Sequence, residues 1–304
     1  MIYKNRVIAL GFFDGVHIGH SALIWRAIDI AEKNSLIPSV ITFDAHPRSL
    51  LCDENVELIN SPEDRAGLIH RVFAIDDIIF LHFDKETAQL SWDSFVDHLV
   101  EEFGARHLVA GFDFRFGCNG EGNSELLRQK CAQLGIGCDI IPAVKLGDIT
   151  SSSTYIRRLI SDGDIEKAND FLGHPHVLTD VVHFGYRLGR TLGSPTINMC
   201  FQSGVLIPAF GVYATKVYLD DGSEHLGVTN VGIRPTVDNG GTVTAETHIL
   251  NFRNNLYGRQ VRIEFYSRLR AEKKFDNADM LKAQIQKDCE HTLQYFHKKA
   301  CKQV

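Results

Sequence analysis

Two histidines one helical turn apart, His17 and His20, share the decapeptide GFFDGVHIGH with a carboxylate, Asp14, and three glycines, Gly11, Gly15 and Gly19. Imidazoles beside a glycine-rich backbone suit the holding of phosphate, because glycine lets the main chain approach a ligand closely and its N–H groups donate to anions. The run Val7–Leu10 just before is short and apolar, the length of a buried strand. Behind the decapeptide, Leu23, Ile24, Ala27, Ile28 and Ala31 recur at helical spacing, with Arg26, Asp29, Glu32 and Lys33 opposite. The glycines therefore fall where a strand ends and a helix begins, a place that attracts anions through free N–H groups and the helix dipole. Gly11, Phe13, Asp14, Gly15, Gly19, His17 and His20 are the candidate nucleotide contacts, and a glycine turn with two surface histidines is the plainer alternative.

Three further segments carry polar residues in patterns that suit a site. TFDAHP (42–47) offers Asp44 and His46, which taken alone would also cap a loop. GFDFRFG (111–117) brackets Asp113, Phe114 and Arg115 with glycines, though its alternating aromatics would equally serve a core. SSTYIR (152–157) starts a helix in which Ser153 and Thr154 either cap the backbone or bind phosphate, with Arg157 one turn in as a charged donor.

GFFDGVHIGH resembles the HxGH signature of the nucleotidylyltransferase superfamily, in the GxFDGVHxGH form of the bacterial FMN adenylyltransferases, and the three later segments are similar to that family's elements in the same order. The resemblance implies that the imidazoles hold ATP phosphates while an FMN phosphate oxygen attacks the α-phosphorus and pyrophosphate leaves. It also implies flavin contacts from Asp44, Asp113, Phe114 and Arg115. Phe12, Thr150, Tyr155 and the stretch Cys118–Glu121 depart from the family pattern, the last three where basic residues are common. An impaired first site is the alternative that those departures leave.

A second constellation begins at GYRLGRTLGSPTIN (185–198). Gly185, Gly189 and Gly193, with Arg190, suit a loop around a phosphate chain, and a glycine-rich hairpin is the alternative. Thr196 and Asn198 fall on one face of an extended segment and present neutral oxygens, the donor type that Mg²⁺ takes. This loop resembles the GxxLGRxLGxPTxN element of riboflavin kinases, and GVTNVGIRPT (227–236), ETHILNF (246–252), LRAEKKF (269–275) and LKAQIQKD (281–288) match the same family. By that resemblance Glu246 is the general base for the riboflavin 5′-hydroxyl, opening a strand with His248 and Leu250 on its face, Arg270 and Glu272 contact flavin, and Thr196 and Asn198 hold Mg²⁺ with ATP. Phe265, Leu269, Phe275, Leu281 and Ile285 could line an apolar slot for the isoalloxazine ring, or belong to an ordinary core.

These residues need two kinds of scaffold. From residue 1 to about 175, short apolar runs near 7–10, 39–43, 77–83, 107–110 and 139–142 alternate with helical patterns, which predicts a doubly wound parallel sheet of the nucleotidylyltransferase type. From 176 to 304, β-rich runs near 177–184, 211–218, 224–231, 242–252 and 260–266 succeed one another, then a helical pattern over 277–299. That predicts an antiparallel β-barrel with a terminal helix, the riboflavin-kinase-like arrangement. The expected protein is thus a two-domain transferase, with an FMN adenylyltransferase domain over 1–175 and a riboflavin kinase domain over 176–304. Its expected small molecules are ATP, riboflavin, FMN and FAD.

Composition narrows the partners. A net charge of −6 argues against broad nucleic-acid binding, which selects for a basic surface. Seven cysteines without a CxxC pair fit reduced thiols in a cytoplasm. The apolar stretch near 73–83 is broken by Asp76 and Asp77, so no membrane span is expected, and the N-terminus runs into the first strand without a secretory pattern.

Overall fold

Val7–Leu10 are almost completely buried because the strand they form, β1 (Arg6–Leu10), lies in the middle of a parallel sheet covered on both faces. A computed structural model describes residues 5–44, 56–82, 84–184, 195–234 and 242–301. His46, Gly185, Gly189, Arg190 and Gly193 lie outside the described residues, as does Cys52. The chain forms two compact units, Met1–Ser153 and Thr154–Val304.

In the first unit β1 is followed by α1 (Ile18–Asn34), β2 (Ile37–Phe43), α2 (Pro62–Phe73), β3 (Asp77–Leu81), α3 (Lys85–Gln89), α4 (Trp92–Glu101), β4 (Ala105–Gly111), α5 (Ser124–Leu134) and β5 (Gly137–Ile141). The strands run parallel in the order β3-β2-β1-β4-β5. This is the expected doubly wound sheet. On one side a core cluster groups Ile8, Leu10, Ile41, Leu108 and Ala110 of the sheet with Phe95, Val96 and Leu99 of α4, while α1 packs on β1, β2 and β4. A short hairpin, β6 (Lys145–Leu146) and β7 (Ile149–Thr150), comes next; its two-residue strands are exposed, so no buried pattern marks them in the sequence.

The closing glycine of GFDFRFG has a steric reason. Gly117 has φ +74°, and a Cβ there would lie 2.7 Å from the Trp92 backbone N and Cα. Gly117→Ala is therefore expected to destabilise the first unit by about 1–3 kcal/mol through overpacking and a strained φ. Both tryptophans of the chain, Trp25 and Trp92, lie in this unit, so denaturation monitored by tryptophan fluorescence reads the shift.

The second unit opens with α6 (Ser153–Asp162, starting at the junction) and α7 (Ile165–Leu172). The sequence pattern places the division at 175; the packing instead joins these helices to the β-rich half of the chain. Asn169 of α7 shows why: its Nδ2 donates to the Phe265 carbonyl at 2.8 Å, and its Oδ1 accepts from the His176 N–H at 2.8 Å. Six antiparallel strands then form β8 (His176–Val181), β9 (Thr196–Cys200), β10 (Gly211–Leu219), β11 (Glu224–Arg234), β12 (Thr242–Ile249) and β13 (Gln260–Arg270), in the order β8-β13-β10-β11-β12-β9. The two edges approach one another where the His183 N–H donates to the Asn198 carbonyl at 2.9 Å, so the sheet curls into a half-barrel. Inside it, Thr215, Thr229 and Thr247 join their hydroxyls across three strands at 2.9 and 2.8 Å, which satisfies groups that burial would otherwise strand. The terminal helix α8 (Ala278–Cys301) packs on β10, β11 and β13, as the helical pattern over 277–299 predicted.

Candidate active sites

The HxGH spacing is a helix cap. His17 is the N-cap of α1, and its Nδ1 accepts from the backbone N–H of Gly19 at 3.1 Å and of His20 at 3.3 Å. An accepting Nδ1 carries no proton, so the neutral ring presents Nε2–H as a donor. A Cβ at position 19 would stand 2.9 Å from His17 Cε1, so glycine is what lets the imidazole fold over the helix end. His20 stacks on His17 with ring centroids 3.6 Å apart and meets the Phe13 edge at 5.2 Å. Burial, with the neighbouring His17 and Arg65, pushes the His20 pKa well below its ordinary value, which keeps that ring neutral. Its Nδ1 is buried and has no hydrogen-bond partner among the described residues.

The loop between β1 and α1 is held in unusual backbone geometry. Phe13, Gly15 and Val16 have φ of 55°, 78° and 43°, and Val16 is β-branched, a type that seldom adopts this region. Packing enforces it: Phe13 and Val16 are wholly buried, and Asp14 is 1% exposed with its carboxylate accepting from the Ile59 N–H at 2.8 Å. Asp14 thus fastens the loop, and Phe13 packs beneath it, with the ring against Gly11.

The other motifs gather at the same end of the sheet. Gly11 follows β1, Asp44 follows β2 and Gly111 ends β4, three neighbouring parallel strands whose carboxyl ends form one rim. Asp44 pairs with His82 at 2.5 Å, which raises the His82 pKa. Asp113 and Arg115 are exposed, whereas Phe114 stacks on Phe116 at 5.5 Å against the core. The Ser153 hydroxyl donates to the Asp14 carbonyl at 3.0 Å, so the SST element begins against the HxGH loop. Thr154 is exposed, and Arg157 lies one turn into α6.

One residue of this rim escaped the sequence reading. Arg65 of α2 is completely buried, and its Nη1 donates to the carbonyls of Phe12 (2.9 Å) and Phe43 (2.8 Å) and to the Thr42 hydroxyl (2.9 Å). Written as PEDRAGLI, the segment reads as a charged, solvated helix face. The signal that could have found it is the Pro62 start, which sets the phase that turns Arg65 inward beside Leu68 and Ile69.

In the second unit, strand pairing assembles the other site. Glu246 lies opposite Asn198 on β9 and opposite Asn230 on β11, and His248 lies opposite Thr196. Alternation puts these side chains on one face of the sheet. Glu246 sits in the middle of β12 rather than opening it, and Leu250 falls beyond the strand end, because β12 starts at Thr242 to pair with Arg234. The face lines a cavity of about 320 Å³ that Thr196, Glu246, Arg270, Glu272, Phe275, Leu281 and Ile285 share with Asp288. Phe265 is instead wholly buried in the core, and Leu269 is absent from the lining. Arg270 is held by Asp288 of α8 at 2.8 and 3.1 Å, and Glu272 accepts from Asn230 Nδ2 at 3.3 Å. A second cavity of about 830 Å³ lies on the other side of Thr196, with Asn198, Phe252 and Tyr257 in its wall. Thr196 thus stands at both. The sequence reading put His248 on the face of Glu246 but missed Asn230 and Asp288, which only the strand register and the α8 packing bring to this place.

Comparison with known proteins finds one family model in each half of the chain. The FAD synthetase family model matches residues 1–155 and the riboflavin kinase model matches 172–296. A bifunctional riboflavin kinase/FMN adenylyltransferase of Listeria monocytogenes is 36% identical over 97% of this chain and 93% of its own, and that of Bacillus subtilis 35% identical over 95% and 92%. A crystal structure named for a macrolide-efflux protein of Streptococcus pneumoniae superposes with a TM-score of 0.84 at 31% identity, over 95% of this chain and 94% of the other. Among the described residues no helix is long and apolar enough to cross a membrane. By its two family matches and its near-full-length relatives, the chain belongs to the bifunctional riboflavin kinase/FMN adenylyltransferase family.

Proposed function

We propose that the chain makes FAD from riboflavin in two steps at two sites: the β9–β12 face of the half-barrel phosphorylates riboflavin with ATP, and the HxGH rim adenylylates the resulting FMN. The two activities are those of the family; the assignment of residues is our reading. The observation that carries it is the alignment of Thr196, Asn198 and Glu246 on one sheet face, with Thr196 and Glu246 in the lining of a cavity with an apolar wall, while in the first unit a histidine caps a helix at the end of the sheet. We take the functional division to be 1–175 and 176–304. A cytoplasmic enzyme of small-molecule substrates is the setting we assign, in keeping with thiols that form no disulfide among the described residues.

At the half-barrel, riboflavin lies along Phe275, Leu281 and Ile285, with Arg270 and Glu272 contacting its polar edge. Glu246 takes the proton of the 5′-hydroxyl as that oxygen attacks the γ-phosphorus, and ADP leaves. The donor set around Thr196 fits a hard cation: Asn198 is 4% exposed, and its Oδ1 has no hydrogen-bond partner among the described residues. Thr196 and Asn198 would hold Mg²⁺, which when bound neutralises phosphate charge. Gly185, Gly189, Arg190 and Gly193 are assigned to the phosphate chain by motif alone.

At the rim, the α1 N-terminus and the His17 Nε2–H meet the ATP phosphates, and His20 stacks behind as a neutral ring. Gly11, Gly15 and Gly19 admit the phosphate chain, with Ser153, Thr154, Arg157 and His46 as further contacts by motif. An FMN phosphate oxygen attacks the α-phosphorus and pyrophosphate leaves; positioning and charge neutralisation carry such a step. Chromatography of riboflavin, FMN and FAD after incubation with MgATP tests the reading. His17→Ala is expected to accumulate FMN at the wild-type rate and to lower FAD formation at least 100-fold. Unchanged FAD formation in that variant, or equal loss of both products from folded protein, overturns the two-site assignment.

A further inference from the structure

We propose that Arg65 is a positioning residue of the adenylyl-transfer site: it locks the HxGH loop to the strand carrying TFDAHP and supplies a fixed positive charge for the polyphosphate. This rests on the reading of the rim as that site. The geometry is unusual for an arginine. Its guanidinium is wholly buried, Nη1 donates directly to the Phe12 and Phe43 carbonyls and to the Thr42 hydroxyl, and the ring of Phe12 lies 4.5 Å beneath it. Thr42 Oγ1 completes the lock by donating to the Phe12 carbonyl at 2.8 Å. One side chain thus binds the loop after β1 to the end of β2.

No described carboxylate pairs with its charge. Among the described residues Arg65 forms no ion pair, and its Nε and Nη2 are buried without hydrogen-bond partners. The carboxylates of Asp14, Asp44 and Glu63 act on it only from a distance, and burial pulls its pKa down to about 10, so it remains a cation at neutral pH. A buried cation without a partner persists when something else repays its desolvation, and the ligand of this rim is a polyanion. The same charge, with His17, faces His20 and opposes its protonation. Arg65 also answers the departures noted in the sequence: Thr150, Tyr155 and the stretch Cys118–Glu121 stand where basic residues are common in the family, and α2 brings a cation to the rim from another direction.

The test uses the full chain with FMN and MgATP, tracking pyrophosphate release for wild type, Arg65→Lys, Arg65→Met and His17→Ala. Arg65→Met is expected to lower kcat/KM for FAD formation at least 100-fold, with KM for ATP raised about tenfold, and to shift the acid limb of the pH profile upward as His20 is freed to protonate. Arg65→Lys, which keeps the charge and loses the fork, is expected to hold KM for ATP and the acid limb within a few-fold of wild type while kcat stays reduced. Tryptophan fluorescence reports the folding of the first unit, and the lysine variant carries the test where the methionine variant does not keep the native signal. FAD formation within threefold of wild type in either folded variant, or equal losses in both with an unmoved acid limb, overturns the proposal. Full activity in His17→Ala would instead overturn the reading of the rim.

Discussion

Glu246→Gln is expected to lower riboflavin phosphorylation by about 10²–10⁴, the usual contribution of a positioned base, while FAD formation from supplied FMN stays at the wild-type rate. That is about 3–5 kcal/mol of transition-state free energy from one proton acceptor. The effect should fall on kcat rather than on KM for riboflavin, since glutamine keeps the shape and polarity of the cavity wall. Little stability is at stake, because Glu246 is exposed and its backbone is fixed by pairing on both sides, with Asn198 and Asn230. The variant should also lose the acid limb of the kcat profile. Of the titratable groups that share the cavity, Asp288 is held by Arg270 and Glu272 by Asn230, while His248 lies two residues along the same strand with its Nδ1 3.0 Å from the Pro195 carbonyl. A carbonyl only accepts, so that nitrogen carries a proton and the ring's lone pair is left on Nε2, which makes the double variant Glu246→Gln/His248→Gln the control that assigns any residual acid limb. FMN formation within a few-fold of wild type in Glu246→Gln would remove the carboxylate from the mechanism.

The parts of this enzyme that were legible in the sequence are those fixed by local rules. Val7–Leu10 read as a strand because a position buried on both faces needs four apolar residues in a row, and HxGH read as a helix start because helical spacing from Leu23 to Ala31 follows that strand; that His17 itself caps the helix only the structure shows. α5 was legible to the residue, Ser124–Leu134, since Asn123 caps it and Gly135 ends it in the left-handed region. The illegible parts depend on partners distant in the chain. Arg65 carries the charge of a surface residue and is buried only because α2 lays that face against Phe12 and Thr42. Likewise β9 is five residues of modest hydropathy, made a strand by pairing with β12. Without that register the pairing of Glu246 with Asn198, and of His248 with Thr196, could not be known. The α6–α7 pair shows the same limit, since helical periodicity says nothing about which sheet a helix will join.

His176 gives the second large effect, on stability rather than catalysis. It opens β8 and is 1% exposed, 5.6 Å from the Phe265 ring, with neither ring nitrogen hydrogen-bonded among the described residues. Burial, aided by the nearby His174, pulls its pKa down to about 3. In the unfolded chain the same ring titrates near ~6.5. Between those values the unfolded state binds a proton that the folded state refuses, so stability is intact above about pH 6.5 and falls as the pH drops, by about 1.4 kcal/mol per unit. His176→Leu has no such proton and also removes two desolvated polar atoms, which makes it neutral or stabilising at pH 7. From pH 7 to pH 4.5 the variant should therefore lose about 2–3 kcal/mol less than wild type, the carboxylates contributing equally to both. Tryptophan emission reports only the first unit, so the measurement is hydrogen exchange of the β8 and β13 amides across pH, corrected for intrinsic rates. Parallel pH dependence in the two proteins would mean that the folded state accommodates the imidazolium, and with it that the half-barrel core is wetter around His176 than its packing against Phe265 implies.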